Sequence, residues 1–355
     1  DTGAAGNMIN EVTMNYMRDI AKQSVEFVQN VYLPDIKAIA SFYPEWFKYG
    51  GGLVKKNVLC YGDFPEIAND WSEKSLQMPA GAIVDGDLAH VQEVDLRDLT
   101  QIQEFVDHSW YKYPEGKLGL HPWEGVTDQA FELPEGSVGT KTKFEWLGEK
   151  GKYSWIKSPR WKGHMMEVGP LARLIMSVAK DVKHFKEPAL DLLKELNLPL
   201  EAVYSTLGRH AARALECNWT AHKMVQYVED LIANIKSGDE VAANMEFWEP
   251  KTWPKECRGV GFCEAPRGAL GHWCVIKNTR IENWQAIVPT TWNASPRSPE
   301  GQQSAFETSL IGTPVADPER PLEIIRTIHS FDPCLACATH VLDPQGHELC
   351  NVRVR

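Results

Sequence analysis

Apolar residues recur with helical spacing over several long stretches of the chain. Val12, Tyr16 and Ile20 lie four residues apart, and the pattern continues through Val31 towards Pro34. Because proline has no backbone N–H to donate, we expect this first helix to end before Pro34. The same reasoning predicts further helices over 35–43, 95–113, 168–180, 186–196, 200–236 and 321–332.

Shorter apolar runs that end at turn residues predict strands. Short strands and loops are expected over 52–94, a strand pair over 259–264 and 269–278, and a hairpin over 341–355. The pattern as a whole predicts a mostly helical α+β fold. Two stretches without periodicity are expected to be loops, the first of them ordered by its Trp side chains: 114–165, with Trp123, Trp146 and Trp155, and 288–304.

Composition narrows the class of protein. The 355 residues are 43% hydrophobic and 24% charged, which is typical of a folded globular chain. A net charge of −11 without a Lys/Arg cluster argues against nucleic acid as a partner. The sequence has no run of 18 apolar residues, so it predicts no membrane span.

The strongest local chemistry is the segment Asp-Pro-Cys-Leu-Ala-Cys-Ala-Thr-His at 332–340. Cys334 and Cys337 are separated by two residues, so a turn can bring both sulfurs to one soft metal, and His340 offers a further ligand. A zinc knuckle or a redox pair remains an alternative. A zinc site that is complete within the chain is disfavoured, because the chain has no second CxxC or HxxxH motif. The other cysteines outside the C-terminal tail are most simply small buried groups: Cys60, Cys217, Cys257, Cys263 and Cys274.

Two further segments carry weaker signals. In Glu-Ala-Pro-Arg-Gly at 264–268, Arg267 is held between Pro266 and Gly268 and could clamp an anion or face a metal. It could equally be a surface turn. The run 286–293 ends an apolar strand in Thr290 and Thr291, whose hydroxyls could line a pocket or merely end the strand.

Together these segments closely resemble the large, catalytic subunit of nickel–iron hydrogenases, particularly the membrane-bound uptake type. The resemblance implies an α+β, mostly α fold: a large-subunit-like helical core with peripheral small sheets and hairpins. It also implies that 1–340 form one domain, the C-terminal portion of a large subunit, and that 341–355 are a maturation tail. The resemblance is carried by 31–43, 153–163, 166–173, 264–273, 288–293 and 332–340.

The resemblance further implies hydrogen oxidation or production at a buried nickel–iron centre whose iron carries cyanide and carbon monoxide. Four thiolates hold such a centre. Cys334 matches a terminal nickel ligand and Cys337 a bridging one, while Arg267 would lie above the metals with its guanidinium held by Asp332. Whether Arg267 or a thiolate accepts the proton stays open.

The same resemblance assigns the remaining site residues. They fall into three groups: Thr290 and the Pro266–Arg267 backbone on the cyanides, Val288 and Pro289 around the carbon monoxide, and His340 with the Ala286 carbonyl on a structural magnesium.

The sequence departs from the family pattern in two places. An RxCGxC motif and the proton-passing glutamate beside it are absent, so we expect the chain to be roughly the C-terminal 60% of a large subunit and inactive alone. The tail that the family removes after its final His is still present. We expect its hairpin, where retained, to hold the CxxC segment away from its closed position.

The resemblance also implies partners and a location. Electrons would leave through an iron–sulfur small subunit, which alone carries the clusters, and then indirectly through a membrane cytochrome b-type subunit. A maturation protease and nickel-insertion chaperones would act on the precursor in the cytoplasm, before export to the periplasmic side of the membrane. A hydrogen-sensing regulatory subunit on the same scaffold is the alternative function. Cys334 and Cys337 argue against a third class, the cysteine-free relatives of respiratory complexes.

Overall fold

The computed structural model describes residues 10–67, 70–130, 151–238 and 248–334, and the backbone of two strands further on. Its α-helices are α1 (Glu11–Phe27), α2 (Leu33–Phe42), α3 (Pro170–Ala179), α4 (Lys183–Glu195), α5 (Thr206–Lys236), α6 (Pro289–Asn293), α7 (Ala305–Leu310) and α8 (Leu322–His329). The strands are β1 (Val58–Pro65), β2 (Leu76–Ile83), β3 (Ile102–Phe105), β4 (Tyr111–Lys112), β5 (Gly119–Leu120), β6 (Asp128–Gln129), β7 (Ser158–Trp161), β8 (Glu256–Ala265), β9 (Gly268–Lys277), β10 (Arg280–Ile287), β11 (Ala338–Leu342) and β12 (Glu348–Arg353).

α1 ends at Phe27, before Pro34 as expected, and α2 covers most of the helix expected over 35–43, but the chain keeps a helical backbone between them. A π-turn over Val28–Tyr32 joins α1 to α2, and the residues at its junctions keep helical dihedral angles. In a π-turn the backbone bonds shift to a wider spacing, here from the Leu33 N–H to the Val28 carbonyl. The shift accommodates a proline that cannot donate, and the helix continues to Phe42.

The core lies where α3, α4 and α5 pack on the hairpin β1–β2. Val58, Ile83, Ile175 and Met176 are fully buried there. The 31-residue helix α5 begins at Ser205, whose hydroxyl accepts the Gly208 N–H at 2.9 Å. A second cluster joins the same hairpin to the sheet β10–β9–β8 and to β7. The mostly helical α+β fold is thereby confirmed, and its small sheets contribute to the core.

The helix expected over 95–113 is not formed. Asp95 and Asp98 each accept the backbone N–H two residues ahead, which makes tight turns instead. The chain then enters β3, where Ile102 and Glu104 are buried and alternate with less buried residues. The strand β3 pairs with β7 on one side and with β5 on the other. In this stretch the apolar residues spaced by three and four lie in successive turns, so their spacing resembles the pattern of a helix although no helix forms.

Other predictions had mixed outcomes. The helices over 168–180, 186–196 and 200–236 and the terminal hairpin are confirmed within a few residues. The sequence reading missed most of β10 and the short α6, which lies inside the stretch expected to be a loop. Trp123 is buried, Trp155 is partly exposed, and Trp146 lies outside the described residues.

Candidate metal centre

Arg267 lies in the tight turn between β8 and β9, where Ala265 pairs with Gly268. Gly268 has φ +129°, and a Cβ at this position would lie 2.5 Å from the backbone nitrogen of Gly169. Gly169 itself has φ +123°, and a Cβ there would lie 3.0 Å from the Arg267 carbonyl oxygen. Only glycine allows this backbone conformation and this approach, so the two glycines press the turn against the start of α3.

The Arg267 side chain reaches Asp332, the residue that follows α8. Its Nε donates to the Asp332 carbonyl oxygen at 2.6 Å, and Nη2 donates to Oδ1 at 3.3 Å. Nε also lies 3.3 Å from Oδ2, which makes an ion pair with both side chains a little over one-third exposed. Asp332 has φ +54°, an uncommon conformation outside glycine that turns the chain sharply after the helix.

Two arginines of α5 hold the segment before Asp332. The Arg209 guanidinium lies 3.8 Å from the centre of the Phe331 ring, and it pairs with Glu167 at 2.7 and 3.2 Å. Arg213 donates to the Ser330 carbonyl at 2.8 Å. The end of α8 is therefore fixed by the long helix.

Cys334 is tied to the start of α6. Its backbone N–H donates to the Thr290 Oγ1 at 3.1 Å, and Thr290 is buried whereas Cys334 is exposed. Helix α6 is anchored in turn by Asn293, which accepts the Val168 N–H at 3.0 Å and donates to the Val168 carbonyl at 2.9 Å. Through Val168, the α6 end of the site is tied to the same chain segment that begins α3.

The structure thus brings four predicted residues together in two contacts. Arg267 contacts Asp332, and Thr290 contacts Cys334, which follows Asp332 by two residues. Pro266 is exposed, while its carbonyl accepts a hydrogen bond from the Arg173 side chain. Val288 is exposed and Pro289 is buried.

The remaining predicted ligands are not brought together among the described residues. Ala286 is exposed on β10, where it pairs with His272 of β9. Cys337 lies outside the described residues, and of His340 the structure gives the backbone alone, within β11. Within the described ranges there is no group of three His, Cys, Asp or Glu side chains that could hold a metal.

The donors that are described fit a soft metal shared with further thiolates. Cys334 presents an exposed thiol two residues after Asp332, which pairs with the Arg267 guanidinium, and Thr290 fixes its backbone. A lone thiolate does not complete a site, so nickel would need further sulfur ligands. The residues present therefore fit one part of a nickel–iron centre.

The cysteines expected to be buried differ from one another. Cys60 is fully buried, and burial raises its thiol pKa well above the ordinary value, so it is confirmed as a core residue. The others are half-buried, so the expectation was wrong for them: Cys217, Cys257, Cys263 and Cys274. Three of these lie on β8 and β9, and their sheet is not covered on both faces by the described residues.

Sequence reasoning missed the residues that hold the site in place: Arg173, Arg209, Arg213 and Asn293. One signal was available for the first of them. Arg173 stands in an otherwise apolar helical run, Pro-Leu-Ala-Arg-Leu-Ile-Met, where a charge needs a buried partner.

The sequence profile described as nickel-dependent hydrogenase matches residues 2–340. The chain belongs to this family. It is 57% identical over 354 residues to the uptake hydrogenase large subunit of Bradyrhizobium diazoefficiens, a match that covers 100% of this chain and 59% of the relative. It is 50% identical over 355 residues to the hydrogenase-1 large chain of Escherichia coli, again covering 100% and 59%.

Solved structures agree with this assignment to the hydrogenase family. The H2-activated [NiFeSe]-hydrogenase of Dm. baculatum superposes with a TM-score of 0.70 at 31% identity, over 92% of this chain and 60% of that one. The chain thus spans about 59% of the length of the curated hydrogenase relatives it matches.

Proposed function

We propose that the chain is the C-terminal portion of a nickel–iron hydrogenase large subunit that oxidises or produces dihydrogen. The observation that carries the proposal is the Arg267–Asp332 ion pair two residues before Cys334, whose backbone is bonded to Thr290, in a chain that matches the family over 2–340. The curated relatives compared above are named uptake hydrogenase or hydrogenase-1 subunits. Those names favour catalysis over the regulatory alternative.

Cys334 and Cys337 would hold the metals together with thiolates from outside these residues. When bound, the nickel–iron centre, with its cyanide and carbon monoxide ligands, supplies the site at which dihydrogen is split. Asp332 holds Arg267 by its carbonyl and its carboxylate, so that the guanidinium presents a fixed positive charge at Asp332, two residues before Cys334. Thr290 fixes the backbone at Cys334, because its hydroxyl accepts the Cys334 N–H. Preorganised charge of this kind stabilises charge that develops during reaction.

The proposal extends to the rest of the site. The Pro266–Arg267 backbone and Thr290 would hydrogen-bond the cyanides, Val288 and Pro289 would pack around the carbon monoxide, and His340 with the Ala286 carbonyl would hold a structural magnesium. Thr290 and Pro289 are buried, as residues enclosing such ligands should be.

Partners and location belong to the same proposal. An iron–sulfur small subunit takes the electrons and passes them towards a cytochrome b-type subunit, on the periplasmic side of the membrane. Among the described residues, no helix has the length and apolar character needed to cross a bilayer. Nickel-insertion chaperones and a protease that cuts after His340 mature the chain. The family match ends at residue 340, which supports that boundary.

The test is Cys334→Ser in the complete large subunit, purified with its small subunit. Serine preserves the size but not the soft donor, so we expect the nickel content to fall severalfold and hydrogen-dependent dye reduction to be lost. Cys217→Ser, at a half-buried thiol of α5, is the matched control and should retain both. Full nickel content and uptake in Cys334→Ser would refute the proposal.

A further inference from the structure

A buried guanidinium lies directly behind the Arg267 turn. Arg173, in the first turn of α3, is 1% exposed and is enclosed by two carboxylates. Its Nε and Nη2 donate to Glu216 at 2.6 and 2.5 Å, and its Nη1 donates to Glu264 at 2.7 Å. Although burial opposes the charge, the two carboxylates raise the pKa of Arg173 above its ordinary value.

The remaining N–H groups of Arg173 go to the turn itself. Nη1 donates to the Ala265 carbonyl at 3.0 Å, and Nη2 donates to the Pro266 carbonyl at 3.1 Å. A guanidinium has five N–H donors, and these five bonds use all of them. The two carbonyls belong to the residues immediately before Arg267, so Arg173 fixes the direction in which the chain enters Arg267.

The same helix holds the turn at a second point. Gly169, at the start of α3, contacts the Arg267 carbonyl and the Gly268 backbone, and its own carbonyl accepts the Arg173 N–H at 2.9 Å. One helical turn therefore fixes the Arg267 turn twice: by close backbone approach at Gly169 and by hydrogen bonds at Arg173.

We propose that Arg173 is a positioning residue for Arg267: it holds the hairpin turn so that the Arg267 guanidinium meets Asp332, two residues before Cys334. The catalytic consequence rests on the proposed function, whereas the geometric part concerns this chain alone. Lysine at this position keeps the charge but has one nitrogen and no planar fork, so it cannot hold both carboxylates and both carbonyls.

The geometric part is tested on the chain without metals. Phenylglyoxal modifies guanidinium groups, and peptide-resolved mass spectrometry gives the rate at Arg267. In Arg173→Lys the turn loosens, Arg267 spends more time away from Asp332, and we expect its modification to become about fivefold faster. Arg160→Lys is the matched control, since Arg160 is equally buried and, in the part of the chain that the structure describes, donates to Pro159 of its own strand rather than to the Arg267 turn.

An unchanged rate at Arg267 in Arg173→Lys, or an equal increase in Arg160→Lys, overturns the proposal. If Arg173→Lys fails to fold by circular dichroism, the triple variant R173M/E216Q/E264Q replaces it. That variant removes the buried charges together and is expected to give the same faster modification.

The catalytic part is tested in the complete enzyme. We expect Arg173→Lys to lower kcat about tenfold, to leave KM for dihydrogen within about twofold, and to keep the metal content of the wild type. An unchanged kcat overturns the positioning role in catalysis. If no variant, wild type included, contains metal or oxidises hydrogen, the proposed function fails, and the labelling result still decides the geometric part.

Discussion

At the scale of single residues, the site depends on pairs that lie far apart in sequence. Arg267 and Asp332 are 65 residues apart and Cys334 and Thr290 are 44 apart, yet each pair is in hydrogen-bond contact. The chemistry of Arg267, Asp332, Thr290 and Cys334 could be predicted from their motifs. The residues that hold this site in place could not be predicted from a motif. Arg173 and Asn293 bond to backbone carbonyls and N–H groups, which do not depend on the type of side chain.

Arg267→Lys in the complete enzyme is expected to lower hydrogen uptake by about 100-fold or more while leaving nickel and iron content intact. An ammonium can replace the charge but cannot donate to both the carbonyl and the carboxylate of Asp332 in the same geometry. Uptake assays with metal analysis check this. Wild-type uptake by the lysine variant would mean that Arg267 has no role in the reaction.

At the scale of elements, helices were predicted better than strands. α4 and α5 each bury one face, so their apolar spacing identified them, whereas α3 is a continuous run in which Pro170–Ser177 are all buried. The misplaced helix at 95–113 arose because turns repeated the same spacing. Helix α6 was missed because five residues are too few for a periodic pattern. Its position depends on Asn293, whose two bonds to Val168 are tertiary contacts.

Asn293→Ala should therefore destabilise the fold by about 2–3 kcal/mol, since it leaves the buried Val168 N–H and carbonyl without their partner. Urea denaturation of the chain measures this. Asn234→Ala, on the exposed side of α5, is the control and should stay within about 0.5 kcal/mol of the wild type. Equal stability of the two variants would show that α6 is held by other contacts.

Helix α5 also predicts acid sensitivity. His210 faces Arg209 and Arg213 of its own helix and His329 and Asp332 at the end of α8. Burial first, and then Arg213, Arg209 and His329, lower its pKa from 6.5 to about 4, and the Asp332 carboxylate opposes this shift. The folded chain thus excludes a proton that the unfolded chain binds below about pH 6.5. Stability contributed by neutral His210 is complete above that pH and is lost as the pH falls towards 4.

When the pH falls from about 7.5 to about 5, we expect the free energy of unfolding of the wild type to drop by about 2 kcal/mol more than that of His210→Gln. Urea denaturation at both pH values measures the difference. His222→Gln, at an exposed histidine of the same helix, should follow the wild type. A His210→Gln variant with the wild-type pH dependence would assign the acid sensitivity to other groups.

At the scale of the whole molecule, the terminal hairpin contains the bond at which the proposed maturation protease would cut. The bond between His340 and Val341 lies inside β11, where Ala338–His340 pair with Asn351–Arg353 of β12. The paired strand begins one residue after Cys337, so the end of the CxxC motif is tied to the hairpin while the tail is present. Cleavage after His340 would remove β12 and release that tie.

We therefore expect the complete subunit to be fully loaded with nickel only when the tail is gone. Intact-mass spectrometry of the purified subunit, combined with nickel analysis and uptake assays, measures both properties together. A stop codon after His340 gives the matched tail-less chain. Retention of the tail alongside full nickel loading and activity would contradict the expectation.

Above all, we propose that this chain supplies one half of the thiolate set of a nickel–iron centre. The most direct measurement is the infrared spectrum of the complete large subunit, purified with its partner, in the wild type and in Cys337→Ser. We predict cyanide and carbonyl bands in the wild type and none in Cys337→Ser, because a bridging thiolate would be lost. Unchanged bands in Cys337→Ser, or their absence from an active wild-type enzyme, would contradict the claim.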